Sequence, residues 1–279
     1  MTLLHKTYGK GRVRVMRVHR DGARHEVREL TVQAMLTGGF DPAFTRADNS
    51  TTVSTDTVKN VVNIVARESM TLAPEEFCRA VARRLIDAYA MVETATVTAH
   101  ETRWSRLAVD GEPHPHAFTL DGNGTSVAKV TMARGGALTI ESGLSGFTFL
   151  KTTESGWANY VKDPYTTLSE THDRLAATSM EASWLWGRPP ADYPAANARI
   201  LDSLLKVFAT TYSHSIQDSL YRMGRAALAA VPEIETISMA CPNKHYLLVD
   251  LARFGLDNDN QVFVATDEPH GQIECTVGR

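Results

Sequence analysis

Residues 28–36, RELTVQAML, decide the fold: Leu30, Val32, Ala34 and Leu36 fall on one side of an extended chain. A period of two with the apolar set on one side describes a strand in a sheet with one buried face. Upstream, GRVRVMRVHR (11–20) alternates arginine with valine, and Asp21-Gly22 is a turn signal, so residues 12–36 read as one long hairpin. Downstream the period changes. Val58, Val61, Val62 and Val65 recur at i, i+3, i+4 and i+7, which predicts an amphipathic helix over about 57–69. A second helix is expected over 74–92, opened by Pro74 with Glu75 and Glu76 in its first turn and striped by Phe77, Val81, Leu85, Ala88 and Val92. ETATVTAHETRWSRLAV (93–109) is strand-like again, and DGEPHPHAF (110–118) reads as a turn.

The same order returns in the second half. GALTIESGLSGFTFLKTT (136–153) reads as strand, 194–211 and 216–230 as helices, and ETISMACPNKHYLLVDL (235–251) and QVFVATD (261–267) as strands. The plan is hairpin, two helices, hairpin, twice over. It describes an α+β protein of two antiparallel sheets, each with a helical pair on one face, and a boundary near Arg134–Ala137.

Composition narrows the function. The 279 residues carry 29 Lys+Arg against 32 Asp+Glu, a net charge of -3, so the whole chain offers no electrostatic case for nucleic acid. The arginines of 11–20 read as a solvated strand face. No apolar run approaches the roughly 20 residues of a membrane-spanning helix, so no membrane partner is expected. The first residues lack the order of a secretory signal, and the last, CTVGR, are not a peroxisomal address. The three cysteines, Cys78, Cys241 and Cys275, are far apart and odd in number, as in a reducing cytoplasm.

Candidate chemistry lies at helix starts and one strand. STDTVKN begins a helix at Thr55-Asp56, and Ser215 and Asp218 in SIQDSL are spaced as a capping box. Helix starts attract anions, although a plain capped helix has the same look. Gln217 offers an acceptor beside a donor, as a planar heterocycle requires. Arg174 can grip a planar anion with two parallel hydrogen bonds, or be an ordinary salt-bridge partner. Trp157 can stack on a flat ring or simply pack a core. Lys10 lies between glycines that allow close backbone approach. Asn243 and His245 share one side of a strand by alternation, with Lys244 on the other. His114 and His116 in HPH lack a Cys, Asp or Glu at ligand spacing, so no metal is expected. No Walker loop, G-x-S-x-G, H-E-x-x-H or dinucleotide fingerprint is present.

Taken together and in order, the segments resemble the urate oxidase (uricase) family. The likeness is carried by YGK (8–10), ADNSTTVSTDTVKN (47–60), TRW (102–104), DGEPHPHAF (110–118), LSGFTFLKTT (144–153), DPYTTLSETHDR (163–174), SIQDSLYRM (215–223), PNKHY (242–246) and IECTVGR (273–279). The resemblance implies a tandem pair of T-fold (tunnelling-fold) domains, here 1–135 and 136–279, assembled as a homotetramer with active sites where subunits meet. It implies oxidation of urate by O2 and water to 5-hydroxyisourate and H2O2, with no metal or organic cofactor. By the same resemblance, Lys10, Thr55 and His245 are the proton relay, and Arg174 and Gln217 clamp urate. Asn243 holds O2 or the attacking water, Asp56 and Ile216 offer backbone N–H groups, and Leu168 lines the site. Trp157 occupies the stacking position, where the family usually has Phe. Two rivals are a T-fold enzyme of pterins or related purines, whose cyclohydrolases use Cys/His zinc spacings absent here, and a purine binder without turnover.

Overall fold

The hairpin is present and longer than expected. In the computed structural model, which describes residues 2–70 and 73–279, β1 (Tyr8–Asp21) runs antiparallel to β2 (Arg24–Gly38) and closes with Asp21 opposite Arg24. Val13, Val15, Leu30, Val32, Ala34 and Leu36 are all buried, so the alternation reports the core face. The chain divides into two units, Met1–Gly143 and Leu144–Arg279.

In the first unit, a short helix α1 (Asp41–Thr45) is followed by α2 (Thr55–Ser69) and α3 (Pro74–Ala88). The Ser54 hydroxyl caps α2 by accepting from the Thr57 N–H at 3.2 Å. The second helix is shorter than its apolar stripe suggests. Tyr89 is already extended, Ala88 is exposed, and Val92 opens β3 (Val92–Thr102). Val92 continues the helical spacing only because sheet and helix bury residues in one core. The strand expected over 93–109 breaks at Arg103 into β3 and β4 (Trp104–Val109). DGEPHPHAF turns only at Asp110-Gly111; the rest is β5 (Glu112–Leu120), paired with β4 as a two-stranded ribbon. Each strand of such a ribbon has a free edge, so Pro113 and Pro115 are tolerated. β6 (Thr125–Ala133) follows β3 in the order β1-β2-β3-β6-β7 and turns tightly, Ala133 N–H to Ala137 C=O at 2.8 Å, into β7 (Leu138–Lys151).

In the second unit, β8 (Ala176–Trp186), β9 (Ile234–Leu248) and β10 (Phe263–Gly278) are antiparallel neighbours in that order. Between β8 and β9 lie α4 (Tyr193–Thr210), capped by Asp192, and α5 (Ile216–Ala230), capped by the Ser215 hydroxyl. α5 packs on β9 and β10. Its buried stripe, Ile216, Leu220, Met223 and Ala227, is the one its spacing predicts. β8 carries a weak strand signal in sequence, because AATSMEAS is poor in β-branched residues.

Each unit has its own core. Leu30, Leu36, Phe77 and Leu85 fill the first, and Trp184, Ile200, Leu204, Leu220 and Met223 the second. Each such side chain contributes about 1.5–3 kcal/mol. All three cysteines are free thiols: Cys78 and Cys241 are buried and Cys275 is half-buried. Burial pushes the Cys241 thiol up to about 11. No helix among the described residues is long and apolar enough to cross a membrane.

Candidate active site

In the second unit the site is built on an irregular segment rather than on a strand or helix. Residues 154–157 run between two neighbours. On one side the Gly156 N–H donates to the Ser213 C=O at 2.9 Å, and the Ser213 N–H to the Glu154 C=O at 2.9 Å. On the other, Trp157 and Thr171 exchange backbone hydrogen bonds at 2.7 and 3.0 Å, and the Arg174 N–H donates to the Ser155 C=O at 2.9 Å. One ladder therefore fixes the backbones of Trp157 and Arg174 together. The ladder also reaches the start of α5. Ser213 is two residues before the Ser215 cap, and the Ser219 hydroxyl of the first turns donates to the Ser213 hydroxyl at 2.9 Å. Ser155, Ser213 and Ser219 are buried, with the Ser155 carbonyl and the Ser213 and Ser219 hydroxyls hydrogen-bonded. Glu154 and Asn159 bracket the segment in the left-handed backbone region, at φ 59° and 60°. That conformation costs a non-glycine residue about 1–2 kcal/mol and persists only when neighbours enforce it.

Arg174 is the telling group. Its Nε is buried, and no hydrogen-bond partner for it exists among the described residues. Desolvation pulls the guanidinium below its ordinary value, but a guanidinium keeps its charge at any working pH. A buried N–H with no acceptor costs about 1–3 kcal/mol unless something arrives to accept from it. Gln217 is exposed in the first turn of α5, and Ile216, the first helical residue, is buried. Leu168 is exposed, with its carbonyl accepting from the Tyr160 hydroxyl.

Asn243 and His245 lie on β9 and are half-buried, as is Lys244 between them. On the β8 side, Asn243 faces Thr178 and Lys244 faces Ala177, so the register carries β9 towards the 174 end of β8 as it approaches His245. On the β10 side the ladder is interrupted. Thr266 faces His245 and Gly271 faces Asn243, leaving residues 267–270 opposite Lys244 alone. This bulge takes Lys244 out of pairing on that edge, while Asn243 and His245 keep their β10 partners.

In the first unit, Lys10 sits where β1 slips register between Lys10 and Val13. The Tyr8 hydroxyl accepts from the Val53 N–H at 2.8 Å and ties this end of β1 to the segment that enters α2. Thr55 and Asp56 are the first two residues of α2, and both are exposed. The Asp56 carboxylate is held below the usual range first by the hydrogen bond from Lys59, with a smaller contribution from the nearby charge of Lys10. So Lys10, Thr55 and Asp56 form one neighbourhood in this unit, and Trp157, Arg174, Ile216 and Gln217 another in the second.

The uricase family profile matches residues 6–131 and 140–274. A uricase of Arthrobacter globiformis is 39% identical over 272 residues, covering 98% of this chain and 88% of the relative. The chain belongs to the uricase family. A uricase of Aspergillus flavus is 38% identical over 98% of this chain and 95% of its own. The crystal structure of the Arthrobacter globiformis uricase covers 100% of this chain and 95% of that one at a TM-score of 0.95. The fold is thus the tandem T-fold pair of the uricases.

The site residues that sequence reading overlooks are the braces: Tyr8 in the first unit, and Tyr160, Ser213, Ser219 and Tyr212 in the second. The Tyr212 hydroxyl donates to the His172 C=O at 2.7 Å and presses on Gly156. Tyr8, Tyr212 and Ser213 bond to residues 40 or more positions away, and Tyr160 and Ser219 close local loops that follow no period. His114 and His116 lie on β5 with ring centroids 4.6 Å apart, and no group of three or more His, Cys, Asp or Glu among the described residues is arranged to hold a metal.

Proposed function

We propose that this chain is a cofactor-independent urate oxidase whose electrons come from urate itself. Urate, O2 and H2O go to 5-hydroxyisourate and H2O2, a balance that needs no further reductant. The observation that carries the site assignment is the buried, unpartnered Nε of Arg174, held on one backbone ladder with an indole and beside a helix start. Those are the demands of a flat anion: a fork of donors in its plane, an aromatic face beneath it and positive potential at its edge.

In this reading Arg174 and Gln217 clamp urate, and Trp157 stacks on it. Leu168 and Ile216 line the site, and the backbone N–H groups of Ile216 and Asp56 contribute donors. Loss of a second proton makes the purine electron-rich enough to react with O2. Lys10 takes that proton, Thr55 passes it on, and His245 completes the relay. Asn243 holds O2 or the attacking water above the ring. Lys10 and Thr55 come from the first unit and His245 from the second. The site is completed in a homotetramer, where two subunits meet, with domains 1–135 and 136–279 as the T-fold repeats. The setting is cytoplasmic, with no nucleic-acid or membrane partner.

The test is to mix protein, urate and air and follow the urate ultraviolet band and peroxide together, with and without a chelator. Turnover indifferent to chelator is expected. Urate bound but not consumed would instead mark a binding protein, and chelator-sensitive turnover a metal enzyme. Lys10→Met and His245→Ala should each lower kcat far more than they raise KM, while Arg174→Ala should mainly raise KM. A Lys10→Met protein that turns over urate at the unmodified rate removes the relay.

A further inference from the structure

Trp157 has two flat faces, and the protein itself covers one. The Tyr160 ring stacks on the indole with centroids 5.5 Å apart and planes within 11° of parallel. Tyr160 is fixed at both its polar end and its ring. Its hydroxyl donates to the Leu168 C=O. Lys162 Nζ lies over the Tyr160 ring, 5.9 Å from its centroid, and pairs with Glu170 at 3.0 Å. Glu170 in turn accepts from the Asn159 N–H at 3.2 Å. The segment 157–170 is thus closed on itself by an ammonium, a phenol and an indole in sequence.

We infer that Tyr160 is a positioning residue for urate: it backs the Trp157 indole and ties the Leu168 backbone, so that the remaining indole face and the 168 segment are presented in fixed geometry. The inference rests on reading Trp157 as the stacking residue. Its physical basis is preorganisation. An indole free to rotate about two side-chain torsions loses that freedom when a ligand stacks on it, whereas an indole already stacked has none left to lose. The ammonium over the phenol ring, 5.9 Å from its centroid, adds a cation–π contact that holds the phenol in turn. The Tyr160 hydroxyl makes the device specific, since a phenylalanine would back the indole but leave Leu168 untied. Tyr160 acts through Trp157 and the Leu168 carbonyl, so its effect belongs in binding rather than in the chemical step.

The experiment uses the full-length protein, with urate under argon for binding and urate in air for turnover, on Tyr160→Phe, Tyr160→Leu, Trp157→Ala and Trp157→Ala/Tyr160→Leu. Tyr160→Leu is expected to raise the urate KM about tenfold, and Tyr160→Phe about threefold, with kcat within about twofold of the unmodified enzyme. Trp157→Ala should raise KM at least as much as Tyr160→Leu. Adding Tyr160→Leu to Trp157→Ala should then have little further effect, because the tyrosine acts through the indole. Tyr160→Phe serves where Tyr160→Leu fails to fold, since it keeps the ring. Additive effects in the double variant, a fall in kcat alone, or an unchanged KM in both Tyr160 variants would each overturn the inference. If Trp157→Ala itself leaves KM unchanged, the stacking assignment fails, and the inference with it. If Trp157→Ala weakens binding while the Tyr160 variants do not, only the positioning role is lost.

Discussion

Each unit places a candidate site residue immediately after a glycine that has no room for a side chain, but the walls differ. In the first, a β-carbon on Gly9 would lie 1.9 Å from the Ala34 carbonyl oxygen and 2.8 Å from the Met35 α-carbon. The wall is the β1–β2 backbone ladder, and Lys10 follows it. In the second, a β-carbon on Gly156 would meet the Tyr212 hydroxyl at 2.3 Å and the Thr171 carbonyl oxygen at 2.9 Å, and Trp157 follows it. That wall is partly a side chain that can swing away. The first unit therefore positions its site residue through the structure that also holds the fold, and the second through a local brace hung on that structure.

If this contrast is right, the two alanine substitutions should separate stability from function. Gly9→Ala cannot be relieved without parting β1 from β2, and should cost about 3 kcal/mol of stability, read as a large fall in the thermal midpoint. Gly156→Ala should displace the Tyr212 hydroxyl from the His172 carbonyl, a loss of about 1 kcal/mol. Its larger effect should be on binding, with the urate KM raised about tenfold, equivalent to about 1.4 kcal/mol, because Trp157 and Arg174 share the disturbed ladder. A Gly9→Ala protein that melts normally, or a Gly156→Ala protein that melts early but binds urate normally, would erase the distinction.

The same contrast explains what could be read from sequence. The β1–β2 hairpin, α2 and α5 were legible because their periods of two and 3.6 are imposed by a core face, and the helix starts because caps have a fixed grammar. The end of α3 and the strand β5 were misread. Val92 keeps the helical spacing while belonging to the sheet, and two prolines disguise an edge-strand ribbon. Thr55, Ile216 and Gln217 lie at the helix starts that local rules predict. The brace around Trp157 was not legible at all. Ser213 and Thr171 reach the 154–157 segment through backbone bonds that follow no period, Tyr212 packs its hydroxyl against Gly156, and Tyr160 is one more aromatic in a polar loop.

The Glu29 tie of the first unit also differs in charge from the 154–157 ladder of the second, which gives the smallest and most specific test. In the first, Glu29 is buried, accepting from Arg14 at 2.7 Å and from the Trp104 indole N–H at 2.9 Å, so it ties the β4–β5 ribbon to β2. In the second, the ladder around 154–157 is made of neutral amides and hydroxyls. The hydrogen bond from Arg14, followed by that from Trp104, holds the Glu29 carboxyl below its ordinary 4.5. A depressed carboxylate contributes stability that is fully present above its unfolded value and is lost as pH falls through the folded one. Glu101 acts in the opposite sense: burial, only partly offset by Arg28 and Arg103, raises its value, so protonation relieves it as pH falls. Comparing Glu29→Gln with the unmodified protein isolates the first effect from the second. Because Arg14 is largely exposed, the expected loss is modest, about 1 kcal/mol at pH 7. The difference in thermal midpoint should begin to shrink as pH falls below 4.5 and go on shrinking through the depressed folded value, since the unmodified protein then loses the same interaction. A difference that stayed constant with pH would mean that Glu29 holds the ribbon by shape alone and that the charge contrast between the units is without consequence.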